Sequence, residues 1–473
     1  MTSRWNAILL TLLCLSAAAR AAEPDIRIAF PAAGASVATE RQTYVIGRVT
    51  PPGTPLTVNG RAVTPWRTGS FLCMVPVIPG TNTLVFRAGQ TELAHAFTVP
   101  FPPRPWDGKG IRVRQPLQPL GVYTGEAVRL ACQAPAGLSV FAAVGERTVA
   151  LAPQLTSPSS YSASVAFAAP AEKVPVVFFA EGLPDAAAAD LTARAEWPAL
   201  KVTGPLFETR VRSEPGDGDT VGFPPAGLSL RGAGFAGAHT RLWVQGKQRF
   251  IETRHRTPMP EPAALPSRDL ALPDIGAGLG PHPPTNRAPA DILVVLDPGH
   301  GGASTGAVGP SGLAEKEVNL QQAKITKAVL EHAGFRVRMT RETDVDPDLY
   351  ERARIAYEAK AGAFISIHHN ATSPQTDPRE VRHVATYAWN GLGLRLARAI
   401  HPHVAAVTPI ADRGVMTASF AVCRNPAIPS CLLELDFINC PEGEEAIRNT
   451  EQQRRVAEAI LAGVKDWLAS PPE

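Results

Sequence analysis

The sequence ILVVLDPGHGGASTGAVGPSGLAEKEVNL, residues 292–320, decides the fold of the C-terminal part of the chain. It begins with five apolar residues, which predict a strand buried on both faces of a sheet. A glycine-rich loop with His300 follows, and from Glu315 onward the pattern becomes that of a helix. Open α/β sheets form their sites at the carboxyl ends of their strands, where such loops lie. We therefore expect a functional site around this loop.

Strand-like and helix-like segments alternate through the rest of the C-terminal region. Val318, Ile325 and Val329 fall at helical spacing, and Gly334 follows where a helix cap is expected. The segments after them are RVRM as a strand, a helix around residues 349–361, the strands AFISI and CLLEL, and a final helix. This alternation predicts an α/β domain with a mostly parallel, twisted sheet and helices on both faces. We expect it to occupy residues 291–473.

The first 21 residues have the composition of a signal peptide. Arg4 precedes an apolar run from Ala7 to Ala19, and Ala19-Arg20-Ala21 fits a cleavage site. The run is too short to span a bilayer comfortably. We therefore expect an exported protein with no transmembrane segment after cleavage. A periplasmic location is favoured, secretion is the alternative location, and an uncleaved anchor is the alternative interpretation of the segment.

Net charge and cysteine content narrow the possibilities. The 473 residues have a formal net charge of +3, and loss of Arg4 and Arg20 with the signal would lower it by two. A near-neutral protein gives no electrostatic indication of nucleic acid binding. Five cysteines would remain, so at least one thiol is free or pairs with another chain. Cys423, Cys431 and Cys440 are close in sequence, which suggests one local disulfide without indicating the pair.

The N-terminal half is predicted to be multidomain and all-β. Residues 24–100 have short strand patterns and an Asn59-Gly60 hairpin signal, and they resemble bacterial immunoglobulin-like modules. Residues 111–200 form a second β module with no assigned function. Residues 201–256 resemble SH3-like modules, which often bind wall peptides, and a purely structural unit is the alternative. Nine prolines within residues 257–290 indicate an extended linker.

Three candidate metal ligands lie at the ends of predicted elements. His300 follows the first strand, Glu315 begins the first helix, and His368 ends the strand AFISI. Two imidazoles, one carboxylate and a water would complete a four-coordinate zinc with an open position, as in catalytic sites. Each residue also has an ordinary explanation, such as a solvent-facing His or a Glu that complements the helix dipole. His369 leaves open which of two adjacent imidazoles faces the site.

Glu434 is a fourth candidate, because it interrupts an apolar strand. A buried carboxylate costs several kcal/mol unless it has a partner such as a cation. Near a water activated by zinc it could accept a proton as a general base and return it to a leaving amine. A structural salt bridge is the alternative.

Several motifs resemble, in the same order, those of the zinc-dependent N-acetylmuramoyl-L-alanine amidases. They are DPGHGG, GAVGPSGLAEK, TRETD, YERARIA, FISIHHNA and PSCLLELDFIN, within about residues 291–469. The resemblance implies Zn2+ on His300, Glu315 and His368. It also implies that Glu434 is catalytic, and that Glu317 and His369 are bystanders.

The chain departs from the family pattern at three places, none of which removes a ligand. Ser304-Thr305 stands where the family usually has Asp-Pro, Asp436 where it has glycine, and Cys440 where it has asparagine. These departures concern the shape of the loops and the fit of the substrate more than the chemistry.

The resemblance implies a peptidoglycan hydrolase. It would cleave the amide between the lactyl group of N-acetylmuramic acid and L-alanine of the stem peptide. A zinc peptidase acting within the stem peptide and a non-catalytic wall-binding regulator remain alternatives. A phosphate-binding loop and a thermolysin-like site are disfavoured, because neither Gly-Lys-Ser/Thr nor His-Glu-x-x-His occurs. Peptidoglycan is the expected partner, and a protein activator cannot be identified from the residues.

Overall fold

The computed structural model describes residues 23–101, 108–197, 199–203, 209–216, 220–222, 229–244, 247–258, 269–270, 288–425 and 427–470. The predicted signal peptide and most of the predicted linker at 257–290 lie outside these residues. In the part of the chain that is described, no helix has the length and apolar character needed to cross a membrane.

Residues 23–100 form a compact unit of two sheets. The strands of the first sheet are Asp25–Phe30, Gln42–Thr50 and Ser70–Pro76, and those of the second are Arg61–Val63, Leu56–Val58, Gly80–Ala88 and Thr91–Val99. Phe71, Phe86 and Phe97 are fully buried in the core of the unit. Asn59 and Gly60 have φ values of 49° and 77°, as a two-residue hairpin turn requires. The hairpin predicted at these residues is confirmed.

Three more sheets lie between Arg112 and Leu270. One contains Ala186–Ala187, Val176–Ala180, Val140–Val144, Arg147–Gln154, Ser157–Val165, Val128–Gln133 and Arg112–Gln115. Another contains Ala171–Val174, Leu191–Arg194, Leu120–Tyr123, Gly234–Ala236, His239–Val244, Lys247–Glu252, Val211–Arg212, Thr220–Gly222 and Asp269–Leu270. The smallest contains Ser229–Arg231, Ala199–Val202 and Arg256–Pro258. The β-rich character predicted for this half is confirmed.

One of these sheets joins strands from the two regions predicted as separate modules, 111–200 and 201–256. Phe235 pairs with Gly121 in neighbouring antiparallel strands. Arg241 is only 1% exposed and forms an ion pair with Glu126. A shared sheet and a buried ion pair therefore connect the two regions.

The C-terminal domain contains one six-stranded sheet, whose strands are numbered here in chain order. They are β1 (Leu293–Pro298), β2 (Arg336–Met339), β3 (Ala363–Asn370), β4 (His383–Ala388), β5 (Ala411–Thr417) and β6 (Ser430–Phe437). Their order across the sheet is β2-β1-β3-β6-β4-β5. All neighbours are parallel except β4 and β6, which are antiparallel. The mostly parallel sheet predicted from the sequence is confirmed.

Helices cover both faces of this sheet, as predicted. They are α1 (Glu315–His332), α2 (Leu349–Glu358), α3 (Pro378–Val381), α4 (Gly391–Val407), α5 (Pro441–Arg448) and α6 (Thr450–Ala469), with short 3-10 turns at Pro289–Asp291 and Ala421–Cys423. A further 3-10 turn, Thr253–His255, lies in the N-terminal half. On one face Val294 and Ile365 of the sheet pack with Leu396 of α4 and Ile460 of α6. On the other face α2 and the turn at Ala421–Cys423 pack over the sheet.

The expectation of a local disulfide among the last three cysteines is wrong. All five cysteines of the described region are free thiols. Cys431 belongs to the core beneath α4 and α6, whereas Cys423 belongs to the core on the opposite face of the sheet. The Cys440 thiol donates a hydrogen bond to the Glu442 carboxylate, 2.8 Å away. The three side chains are therefore held in different surroundings.

Candidate metal centre

The carboxyl ends of β1 and β3 and the first turn of α1 bring the three predicted ligands together. His300, Glu315 and His368 each offer one ligand atom, and these atoms all lie within 4.8 Å of one another. Glu315 lies between the two imidazoles, with Oε2 3.2 Å from His300 Nε2 and Oε1 3.0 Å from His368 Nδ1. The three candidate ligands predicted from the sequence therefore form a single cluster.

Two glycines leave the room that this cluster needs. A Cβ on Gly299 would lie 2.1 Å from His368 Nε2, and a Cβ on Gly306 would lie 2.5 Å from Glu315 Oε2. Gly306 also has a φ of +66°, which side-chain-bearing residues rarely adopt. The glycine-rich composition of the loop is therefore a consequence of close packing around the ligands.

Two buried arginines hold the backbone of the loop that carries His300. Arg341 donates to the carbonyl oxygens of Pro298 and Gly299, each 2.9 Å away. Arg352 donates to the carbonyl oxygens of Pro298 and His300, also at 2.9 Å. His300 has a φ of 60°, which is uncommon for a residue with a side chain. The two guanidinium groups therefore stabilise a backbone conformation that is unfavourable by itself.

The far side of the loop is fixed by a lysine and an aspartate. Lys316 Nζ donates to the carbonyl of Gly302 at 2.8 Å and pairs with Asp344 Oδ2 at 2.7 Å. The amide of Gly302 donates to Asp344 Oδ1 at 2.8 Å. The His300 ring also has a fixed neighbour, because its Nδ1 lies 3.0 Å from Ser304 Oγ. Ser304 is one of the departures from the family pattern, and its hydroxyl contacts the imidazole.

Glu315 is buried and held in its ionised form. Its carboxylate accepts hydrogen bonds from the amides of Ala307 and His369 and from Asn319 Nδ2. Burial by itself would raise the pKa of Glu315, but the hydrogen bonds to His300 and His368 outweigh it and hold the pKa well below its usual value. Burial likewise opposes the charged form of His368, and the bond to Glu315 leaves its pKa raised. The cluster is prepared to surround a positive charge.

His369 lies outside the ligand group, as the resemblance implies. Its Nδ1 lies 2.8 Å from Asn319 Oδ1, and burial lowers its pKa to about 4. The neutral ring therefore donates to Asn319, whose Nδ2 donates to Glu315 Oε1 at 3.1 Å. His369 thus supports the ligand Glu315 indirectly. Glu317 is exposed on α1.

Glu434 lies opposite His368 in the neighbouring strand β6. Its Oε2 is buried and has no hydrogen-bond partner among the described residues. Burial raises the pKa of Glu434 to about 8; the charge of His368 opposes this rise and that of Glu315 adds to it. No ion pair involves Glu434 in the described part of the chain, so the geometry does not favour the structural salt bridge considered from the sequence. The unpaired oxygen is available to a proton or a water.

Asp436 on β6, another departure from the family pattern, is accommodated by an arginine. Asp436 accepts two hydrogen bonds from Arg382, with Nε 2.6 Å from Oδ1 and Nη2 2.7 Å from Oδ2. Such bidentate pairs are among the stronger ionic contacts. The aspartate at this position therefore links β6 to the segment that follows α3.

Comparison with known proteins identifies relatives of this domain. Residues 294–466 match the family model described as N-acetylmuramoyl-L-alanine amidase. The N-acetylmuramoyl-L-alanine amidase AmiA of Salmonella typhimurium is 31% identical over 229 residues, which are 39% of this chain and 79% of AmiA. The amidase LytC of Bacillus subtilis is 35% identical over 174 residues, which are 37% of this chain and 35% of LytC. The match therefore spans most of AmiA but about a third of LytC.

A solved structure is also similar to this chain. It is the catalytic domain of CwlV, an N-acetylmuramoyl-L-alanine amidase from Bacillus (Paenibacillus) polymyxa var. colistinus. The identity is 30%, the match covers 37% of this chain and 98% of that chain, and the TM-score is 0.36.

Proposed function

The chain belongs to the N-acetylmuramoyl-L-alanine amidase family, and we propose that it hydrolyses the amide between N-acetylmuramic acid and L-alanine in peptidoglycan. The family predicted from the sequence motifs is thereby confirmed. One observation carries the proposal: His300, Glu315 and His368 offer ligand atoms within 4.8 Å of one another. The unpaired carboxylate oxygen of Glu434, on the strand next to His368, supplies the second element of the chemistry.

The donor set fits a catalytic zinc ion. Two imidazole nitrogens and one ionised carboxylate are the ligands that open zinc sites use, with one position left for water or substrate. His300, Glu315 and His368 would hold the ion. When bound there, zinc supplies a Lewis acid that polarises the substrate carbonyl and lowers the pKa of water toward neutrality.

Glu434 transfers the proton from the attacking water to the leaving nitrogen. Its free Oε2 accepts a proton from the water that attacks the lactyl carbonyl carbon. The same carboxyl group then gives that proton to the nitrogen of L-alanine as the carbon–nitrogen bond breaks. The products are the free lactyl carboxylate of the sugar and a peptide with a free amino terminus. Burial raises the pKa of Glu434 to about 8 in the metal-free protein, which makes its carboxylate a stronger base than an exposed one, and a zinc ion nearby would favour the ionised form that accepts the proton.

Digestion of purified sacculi with and without a chelator, followed by mass spectrometry of the products, tests the proposal. Intact stem peptides with L-alanine at a free amino terminus, lost after chelation and restored by zinc, are the expected result. Products cut within the stem peptide would instead identify a zinc peptidase. Binding to sacculi without hydrolysis, in the zinc-loaded protein, would identify a non-catalytic regulator.

The remaining modules are proposed to deliver this domain to the wall. We assign 24–100 to an immunoglobulin-like module, 111–200 to a second β module and 201–256 to an SH3-like module that shares a sheet with the second one, followed by a linker at 257–290 and the catalytic domain at 291–473. Export through the signal at 1–21 would place the enzyme in the periplasm, or outside the cell if it is secreted. Removing residues 24–256 should weaken binding to sacculi while the isolated catalytic domain keeps its bond specificity.

A further inference from the structure

A β-bulge lies beside the candidate centre, between β4 and β5. Val384 pairs with Asp412, and Thr386 pairs with Val415. Arg413 and Gly414 together therefore oppose one residue of β4, Ala385. Gly414 has a φ of 78°, which suits a glycine in a bulge. Such bulges occur near active sites, where they change the direction of a side chain. Here that side chain is Arg413.

The bulge is fixed from the opposite face of the sheet. Asp412 Oδ1 accepts a hydrogen bond from the amide of Gly414 at 2.7 Å and lies 2.7 Å from His401 Nε2. His401 is a buried residue of α4, and its other ring nitrogen lies 2.9 Å from Thr386 Oγ1. Asp412 therefore faces α4. Arg413 opposes Ala385, and Ala385 lies on the face away from α4 because its neighbour Thr386 contacts His401 of α4, so Arg413 also faces away from α4.

Arg413 shares the other face with Glu434. Glu434 pairs with His368 on one side and with Ala385 on the other, and Ala385 is the residue opposite the bulge. Strands lie about 4.8 Å apart, so Arg413 begins about 10 Å from Glu434 along one row of the sheet. Ala385 lies between them in this row, and its side chain is a single methyl group that is fully buried.

The electrostatics agree with this placement. Burial raises the pKa of Tyr387, the charge of Glu434 adds to the rise, and the charge of Arg413 opposes it. Both charges therefore act on the same phenol. Arg413 itself is exposed and makes no hydrogen bond or ion pair within the described residues. Arg424, by contrast, is occupied, since it donates to Ser419 and to the Tyr350 hydroxyl.

We propose that Arg413 is a specificity residue that binds a carboxylate of the stem peptide, on the amine side of the cleaved bond. This inference rests on the proposed function. In that substrate the lactyl carboxyl is part of the amide, so a free carboxylate near the cleaved bond belongs to the peptide. A peptide residue spans about 3.3–3.6 Å, and the arginine side chain covers part of the 10 Å path. The second residue of the stem, directly after L-alanine, is therefore within reach.

The test uses two disaccharide tripeptides that differ only at the second stem residue, which carries a free α-carboxylate in one and a carboxamide in the other. The zinc-loaded full chain should cleave the carboxylate form with a kcat/KM about tenfold higher, mostly through KM, because a charge-assisted hydrogen bond is lost with the amide. Arg413→Gln should lower kcat/KM for the carboxylate form about tenfold and leave kcat/KM for the amide form unchanged. Arg413→Lys should keep part of the preference.

A matched control and a binding measurement complete the test. Arg398→Gln removes the same charge from an exposed position on α4 and should not alter the preference. Titration of the Glu434→Gln protein with each tripeptide should show tighter binding of the carboxylate form. Adding Arg413→Gln to that protein should abolish the difference in affinity between the two tripeptides. Equal binding of the two forms, absent binding of both, or an equal loss on both substrates in Arg413→Gln would each overturn the inference.

The two proposals fail in distinguishable ways. If only the Arg413 inference is wrong, the enzyme still releases intact stem peptides from sacculi but shows no preference between the two tripeptides. If the proposed function is wrong, sacculi are left intact or cut at another bond by the wild-type chain.

Discussion

Arg352 and Asp297 form a buried ion pair, 2.9 Å between Nη1 and Oδ1, directly behind the loop that carries His300. Neither side chain is more than 3% exposed. The Asp297 carboxylate also accepts hydrogen bonds from the hydroxyls of Thr340 and Ser366. The same arginine donates to the carbonyl of His300. The pair therefore connects the inside of the sheet to the backbone of a candidate metal ligand.

Removing this arginine should affect both stability and metal binding. Arg352→Leu leaves the Asp297 charge buried without its partner, which should lower the free energy of unfolding by about 3–5 kcal/mol. The His300 loop also loses a donor, so zinc affinity should fall. Urea unfolding of the metal-free protein and a zinc competition titration would measure the two effects.

Arg354→Leu is the matched control, because Arg354 lies on the same helix and pairs with Glu351 and Glu358 at the surface. Surface pairs contribute little. Similar stabilities and zinc affinities for the two variants would contradict the role given to Arg352.

The sequence was sufficient to predict the cluster because its ligands follow recognisable local patterns. His300 and His368 each end a strongly apolar strand, and Glu315 begins a regular helix, so the topology of a parallel sheet brings them to one edge. The supporting residues had no such local signal. Arg341 and Arg352 bind carbonyl oxygens more than 40 residues away in the chain, and only the folded structure defines those contacts.

Elements with mixed local signals were also missed. The helix α4 contains Pro402 in its interior and starts with glycines, which disfavour a helix when the sequence is considered alone. The strands β4 and β5 run antiparallel to the other four strands of the sheet. In the N-terminal half, the pairing of Gly121 with Phe235 joins residues over 100 positions apart. No periodicity in the sequence indicates such a pairing.

Measuring the zinc content of variants should distinguish the proposed metal ligands from the proposed base, Glu434. Glu315→Gln and His368→Ala each remove a donor from the cluster, so both zinc content and hydrolysis should be lost. Glu434→Gln leaves the three donors in place, so it should retain zinc while kcat falls by about 10²–10⁴-fold, as expected when a general base is removed. Zinc content of the purified variants, measured beside turnover of sacculi, would check this. Wild-type turnover in Glu434→Gln would refute its assignment.

Gly299 should not tolerate a methyl group. The added Cβ of Gly299→Ala would lie 2.1 Å from His368 Nε2, so the imidazole would have to move. We expect zinc affinity to fall at least tenfold, since ligand geometry must be held closely for metal binding. Gly391→Ala is the control, because a Cβ there meets nothing within 4 Å. Equal zinc affinity of the two variants, by competition with a chromophoric chelator, would show that the contact is relieved without cost.

The metal-free protein should become less stable relative to Glu434→Gln as the pH rises. Burial raises the pKa of Glu434 to about 8 in the folded state, from about 4.5 when unfolded. The folded state therefore holds the proton more tightly, and this stabilisation is fully present below about pH 4.5 and lost as the pH rises through 8. Glutamine cannot ionise, so the difference between the two proteins should change by on the order of a few kcal/mol between pH 5 and 9.

Unfolding in urea with a chelator present, at both pH values, would measure that difference. The imidazoles and Glu315 are common to both proteins, so their own titration largely cancels. Zinc should reduce the effect, because a nearby cation favours the ionised form of Glu434. Parallel pH profiles in the metal-free proteins would mean that Glu434 is solvated as an ordinary carboxylate, and the raised basicity that supports its role as proton acceptor would lose its physical basis.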